Sequence, residues 1–371
     1  MTEFMPEAEP LLIKKVIVVH SPRSGRSRQF AKALTSLRSA GIAVVDVLPI
    51  ASLAALPPQG ARWQDEGIDC VVAAGGDGLL GSVAAHVVPA GLPVGILPLG
   101  TSNDVARTVG IPMNIEQAVA VIHQGRQQEV DIGIAHSAIQ DVLPAFSTSS
   151  LQIEPTLPAS KSMYFVHALT VGLNVQFART ATRAPVRQHY GVLTYPYAIY
   201  RALRTYKRVE VSLEFEDLVL HTDVLTPPTI TQKSAVLHCR AAQISVVNAA
   251  VFWGPLQARL PGASLYDRVL DIVVIEDSFL QDLRYRIAHL FTGKQPPAPE
   301  DYLWHTRYPE LLAAQRTAIP GVHHIQARGV KIIASGQRRG VTLDGEVRAS
   351  TPIHAQVAPE QLGLLTPSPF R

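Results

Sequence analysis

The sequence predicts a two-part protein: a doubly wound parallel α/β region first, then a mostly antiparallel β region. Three observations predict it. Between Lys15 and Gln124, short apolar runs alternate with helical patterns, as in a parallel sheet covered by helices. After Asp131 the strand-like runs dominate, which favours antiparallel pairing. Two glycine-led acidic turns, Gly75-Gly76-Asp77-Gly78 and Gly100-Thr101-Ser102-Asn103-Asp104, each follow an apolar run and precede a helical pattern.

The elements follow in order. Lys15–His20 reads as a buried strand that enters a turn at Ser21-Pro22-Arg23-Ser24-Gly25. Phe30, Ala33, Leu34 and Leu37 share one face of a helix over 27–40, closed by Gly41. Further strands are expected over 42–48, 69–74 and 93–98, and helices over 79–88, 102–109 and 115–124. In the second region, strands are expected over 164–175, 209–215, 235–238, 243–247, 270–275 and 330–334. Three stretches read as loop insertions: 137–160, 221–233 and 293–300. They are rich in Pro, Ser, Thr or Ala and lack a clear period. A proline-tolerant amphipathic helix is expected over 196–208, with Tyr197, Arg201, Arg204 and Arg208 on one face.

Composition narrows the class. The chain has 371 residues, 47% hydrophobic and 17% charged, enough for about two domains. A net charge of +3 is too small to argue for nucleic acid, so no nucleic-acid partner is expected. Cys70 and Cys239 have no metal-ligand spacing and lie in apolar runs, so packing in a reduced, cytoplasmic chain is the expectation. The acidic start lacks the order of a signal peptide. No apolar run approaches the ~20 residues of a membrane helix, so a soluble protein is expected.

The two acidic turns carry the chemistry. Glycines let backbone N–H groups approach a phosphate closely, and a neighbouring aspartate can hold Mg²⁺ against phosphate oxygens. Bland readings stand beside these: Asp77 as a turn residue, Asp104 as part of a capping box begun by Thr101, Asp344 as a hairpin turn in Leu343-Asp344-Gly345-Glu346. Together the two turns read better as a metal–phosphate site. Gly76-x-Gly78-x-x-Gly81 formally matches a dinucleotide fingerprint, but it follows about the third strand, and the acid some twenty residues on opens a helix. A phosphate loop with its lysine, a protein-kinase catalytic loop and a zinc-protease helix are absent from the sequence. His323-His324 is expected to play a surface or packing role, its side chains on opposite faces of a strand.

With these residues set out, the chain resembles the diacylglycerol kinase catalytic-domain family, the lipid kinases that include sphingosine and ceramide kinases. The resemblance runs from about Lys14 to Leu365. Gly75-Gly76-Asp77-Gly78 is similar to the family's nucleotide turn, and Gly100–Arg107 matches its most distinctive motif nearly letter for letter. Val130-Asp131-Ile132-Gly133, Asn248, the run 261–271 and Leu343–Glu346 resemble the later signatures. Five positions depart from the pattern: Ser21 for asparagine, Leu79 for threonine, Ser82 for glutamate, and Tyr266 and Arg268 in Tyr266-Asp267-Arg268 for Asp-Asp-Gly.

The resemblance implies a nucleotide-binding domain over 12–133, a β-sandwich-like acceptor domain over 134–350, and a return of 351–371 to the first. It implies ATP- and Mg²⁺-dependent transfer of the γ-phosphoryl group to a lipid hydroxyl, in phospholipid metabolism. Gly75, Gly76, Gly78, Gly100 and Thr101 would cradle the phosphates, with Ser21, Ser24 and Gly25 as a further phosphate-facing turn. Asn103 would hold polar groups of nucleotide or acceptor. Asp77, Asp104 and Asp131 would carry Mg²⁺, and Asp267 a second, structural Mg²⁺. Asp344 would be the general base, supported by Glu346. The basic helix face offers a peripheral contact with the inner membrane face, against a packed helix with a solvated basic face. The rival functions are an NAD kinase-like enzyme and a non-catalytic nucleotide- or lipid-binding protein. The sequence leaves a homo-oligomer open.

Overall fold

A computed structural model describes residues 11–22, 29–53, 56–137, 162–181, 194–205, 208–220, 229–252, 258–277, 305–306 and 321–367. Ser24 and Gly25, most of the first two expected insertions and all of the third lie outside the described residues.

A six-stranded sheet runs in the order 43–49, 15–20, 70–75, 94–98, 362–365, 127–130. Its pairs are parallel except the last, where Leu362–Leu365 runs against Gln127–Val130. The inner strands Cys70–Gly75 and Val94–Pro98 are buried along their whole length, as strands covered on both faces must be. Local signals set the helices between them. The helix Phe30–Ser39 buries Ala33 and Leu37. The helix Ile115–Gln124 begins where Asn114 accepts a hydrogen bond from the Gln117 amide and stops at Gly125, whose φ is 62°.

The second sheet has eleven strands, all paired antiparallel. Two long strands fold it over. Thr229–Val247 pairs with Val209–Leu220 along its first part and with Leu270–Glu276 along its last. Val322–Ala334 pairs with the same two partners in the opposite order. Leu213, Phe215, Leu237, Ile244, Ile272, Ile325 and Ile332 fill the enclosed core.

The fold class is as expected, with three local corrections and one expectation, the packing of His323 and His324, that burial agrees with. The run 164–175 is two short strands and a helix, since Leu173–Ala181 is helical. The strands expected over 235–238 and 243–247 are one strand of 19 residues, which also takes in 229–233 of an expected insertion. The closing stretch divides: Ile353–Val357 lies in the antiparallel sheet and Leu362–Leu365 in the parallel one. His323 and His324 are both buried, against Glu276 at 2.9 Å and Asp271 at 2.6 Å, where burial of either carboxylate needs a polar partner.

Candidate active site

The first turn starts where the strand Cys70–Gly75 ends. Gly76 is extended and caps the helix Asp77–Val87. The Gly75 carbonyl accepts from the amides of Leu99 and Gly100, both at 3.0 Å, so the two glycine turns are stitched together. A methyl group on Gly100 would overlap the Cα of Gly76. Glycine is required there by close approach of two backbones.

Asp77 joins the turns a second time. Its carboxylate accepts from the amides of Asp104 at 3.1 Å and Val105 at 2.9 Å. These are orphan donors at the start of the helix Asp104–Thr108. The fingerprint aspartate of one turn therefore caps the helix that leaves the other. Asn103 sits in the left-handed region at φ 53°, a conformation asparagine tolerates. Its side chain bridges its own turn: Oδ1 accepts from the Gly100 amide at 2.9 Å, and Nδ2 donates to the Gly100 carbonyl at 3.0 Å. The Asn103 side chain is buried and staples its own turn, beside a small cavity that Gly75, Gly76 and Asp77 also line.

The hairpin from the antiparallel sheet closes over this turn. Asp344 and Gly345 form its two-residue loop, with φ 48° and 84°, the pattern Asp-Gly hairpins adopt. The Asp344 carboxylate is buried and accepts three amides: Val166 at 3.0 Å, His167 at 2.8 Å and Ala168 at 3.1 Å. Of about four lone-pair sites on a carboxylate, one on Oδ2 is left, and Oδ2 lies against Gly81. Burial pushes the Asp344 carboxyl up to about 6, against the pull of the Val166 amide, His167 and Ala168. Glu346 is exposed and lies beside Gly78.

Asp131 is elsewhere in role. It is fully buried and accepts from the Arg268 amide at 2.6 Å, the Arg268 guanidinium at 3.1 Å and Gln361 at 2.9 Å. Asn248 holds the same corner, donating to the carbonyls of Asp131 at 2.7 Å and Val166 at 2.9 Å. Among the described residues, no three His, Cys, Asp or Glu come together as a metal site. The expected set of Asp77, Asp104 and Asp131 is thus divided: the first two flank the joined turns, and the third is held by an arginine.

The comparisons with known proteins follow this geometry. Residues 15–135 match the family model of the diacylglycerol kinase catalytic domain. The resemblance read from the sequence therefore holds, and it extends beyond that stretch. The chain is 22% identical to a diacylglycerol kinase of Staphylococcus saprophyticus over 363 residues, 96% of this chain and 97% of that one. It is 24% identical over 306 residues to the uncharacterized protein sll0036 of Synechocystis, 81% of this chain but 56% of the relative's length. The fold is similar to the crystal structure of a diacylglycerol kinase from Bacillus anthracis, with a TM-score of 0.55 at 17% identity, covering 96% and 98% of the two chains.

The departures from the family pattern have local explanations. Leu79 is buried under the turn, and a methyl group on Gly75 would press into it. Ser82 donates to the Gly78 carbonyl at 3.0 Å and accepts from Arg348 at 2.7 Å. Arg268 occupies a left-handed position at φ 58°, where the family pattern has glycine, and its Nη2 donates to the carbonyls of Ala358 at 2.8 Å and Pro359 at 3.1 Å. Asp267 accepts a long bond from the Val269 amide at 3.3 Å. Burial, with Asp271 and Asp131 nearby, raises its carboxyl to about 8. The carboxylates of Asp271 and Asp131 are thus charged neighbours of Asp267.

Two site residues had no sequence signal. His167 donates its amide to Asp344, and its Nε2 lies 3.8 Å from Asp104 Oδ2. Arg348 reaches from the hairpin to the Gly78 carbonyl at 3.0 Å. His167 stands alone in the bend between Ser162–Phe165 and Ala168–Gly172, and Arg348 alone in a strand, each distinguished only by what it meets in the tertiary structure. The Ser21 amide meets the Ala74 carbonyl at 3.4 Å, beside the strand that carries the first turn.

Proposed function

We propose that the protein is a lipid kinase, transferring the γ-phosphoryl group of ATP to the hydroxyl of a diacylglycerol-like or sphingoid lipid. One observation carries the reading: the Asp344–Glu346 hairpin closes over the Gly76–Gly81 turn, so a buried carboxylate meets backbone suited to phosphate. The nucleotide-binding part would span 12–133 and the acceptor part 134–350, with the strand Leu362–Leu365 returned to the first.

Phosphoryl transfer needs in-line positioning and neutralised charge more than covalent chemistry. Amides of Gly76, Gly78 and Thr101 hold the phosphates in this reading, while the Gly100 amide, expected among them, is given to Gly75 and Asn103 instead. Asp77 and Asp104 would hold Mg²⁺ together with phosphate oxygens, as Mg²⁺ binds through one or two carboxylates, and the ion would supply charge neutralisation. Asp344 Oδ2 accepts the proton of the acceptor hydroxyl. The new O–P bond forms as the bond to the β-phosphate breaks, and ADP leaves.

The helix Thr194–Thr205 buries Ala198 and Ala202 and exposes Tyr200, Arg201 and Arg204. In this reading that basic face meets the anionic inner membrane surface that presents the lipid. No helix among the described residues is long and apolar enough to cross a membrane. The test is labelled ATP with vesicles carrying diacylglycerol, sphingosine or ceramide, and with NAD as a separate acceptor. Labelled lipid supports the reading. Labelled NADP alone, or no labelled product with any acceptor, overturns it.

A further inference from the structure

Arg348 is the cation that the geometry places beside the proposed phosphate turn. It stands on the strand Glu346–Ser350 and crosses to the helix Asp77–Val87. A single nitrogen, Nη2, makes three contacts: the Gly78 carbonyl at 3.0 Å, Ser82 Oγ at 2.7 Å and Glu346 Oε2 at 2.6 Å. Nε donates to the same Glu346 oxygen at 3.1 Å. Nη1 makes no hydrogen bond among the described residues. The guanidinium is thus fixed along one edge, and its other nitrogen presents two uncommitted N–H groups. The side chain is 24% exposed, and its carboxylate partner Glu346 is 61% exposed.

Such an arrangement is poised to exchange a partner. An exposed carboxylate is a weak hold on an arginine, because water competes for both groups. A terminal phosphate carries more charge and three acceptor oxygens, and guanidinium binds it through paired donors. Ser82 matters for the same reason. A neutral hydroxyl orients the guanidinium without cancelling its charge, whereas a carboxylate there would.

We propose that Arg348 binds the terminal phosphate of the nucleotide, through Nη1 and by release from Glu346, while Gly78 and Ser82 keep it in place. The inference rests on the kinase reading and adds a phosphate-binding residue to it. The terminal phosphate of the triphosphate is the γ-phosphate, which a diphosphate lacks, so the residue discriminates between the two nucleotides.

Calorimetric titration of the full chain with a non-hydrolysable ATP analogue and with ADP tests this, for wild type, Arg348→Ala and Arg348→Gln. The glutamine keeps an amide donor for Gly78 and Ser82 and removes the charge, which guards against loss of folding. The expected result is a loss of about tenfold or more in affinity for the analogue, with ADP affinity changed less than about threefold. An unchanged ratio of the two affinities in both variants overturns the role of Arg348 while leaving the kinase reading intact. Failure of wild type to bind either nucleotide overturns the nucleotide site itself and the proposal with it.

Discussion

Asp344 rests its Oδ2 directly on Gly81, so closely that a methyl group there would overlap it. The residue belongs to the antiparallel sheet and the glycine to the helix Asp77–Val87. This contact seats the two parts of the molecule on each other at the proposed reaction centre. Gly81→Ala should therefore displace the hairpin without unfolding either sheet. Circular dichroism near that of wild type, with kinase turnover lowered at least about tenfold, is expected, since small misplacements at a reacting centre are costly. Full turnover in the variant would show that the contact is dispensable.

Asp344→Asn removes the proposed base and leaves its shape. Turnover should fall by roughly 10²–10⁴-fold, the usual contribution of base catalysis, with nucleotide affinity retained. The wild-type carboxyl titrates at about 6, and only its ionised form accepts a proton. Activity should rise as the pH increases through about 6, and the asparagine variant should lack that limb. A limb of the same position in the variant would assign it to another group.

Asp77→Ala deletes two hydrogen bonds to the helix Asp104–Thr108. Loss of such a cap typically costs about 1 kcal/mol, and the second bond adds about as much. Urea unfolding should read a loss of about 2 kcal/mol together with weaker nucleotide binding. Weaker binding at unchanged stability would mean that Asp77 acts on the ligand alone.

Arg268→Ala leaves Asp131 buried, with only the backbone amide of residue 268 and Gln361 as donors. Stripping one partner from a buried charge is costly, and the partial exposure of Arg268, 38%, moderates it. A loss of roughly 2–3 kcal/mol in urea unfolding is expected. Added Mg²⁺ should not restore it, because the left-over donors do not surround a cation. Restoration by Mg²⁺ would support the structural metal expected at Asp267.

Much of this molecule was legible from local pattern. The strand Lys15–His20 and the helix Ile115–Gln124 stand where apolar spacing puts them, because burial of one face or one run leaves a period in the sequence. The Asp344-Gly345 hairpin was legible because its turn type requires two positive φ values. Elsewhere the local pattern misled. Leu173–Val175 looks like the end of a strand yet starts a helix, since a short apolar run has no period to separate the two. The 19-residue strand Thr229–Val247 reads as two because Arg240 and two small alanines interrupt the apolar run where it crosses from one partner to another.

By itself the sequence determined the fold class, the two glycine turns, the hairpin and the family resemblance, because each depends on residues a few places apart. Only the tertiary structure decided what each carboxylate touches. The Asp77 carboxylate accepts the Asp104 amide across 27 residues, while Asp131 is held by Arg268 from 137 residues away. Pairings of that kind arise when sheets pack and buried charges find partners, and neither spacing nor composition encodes the outcome.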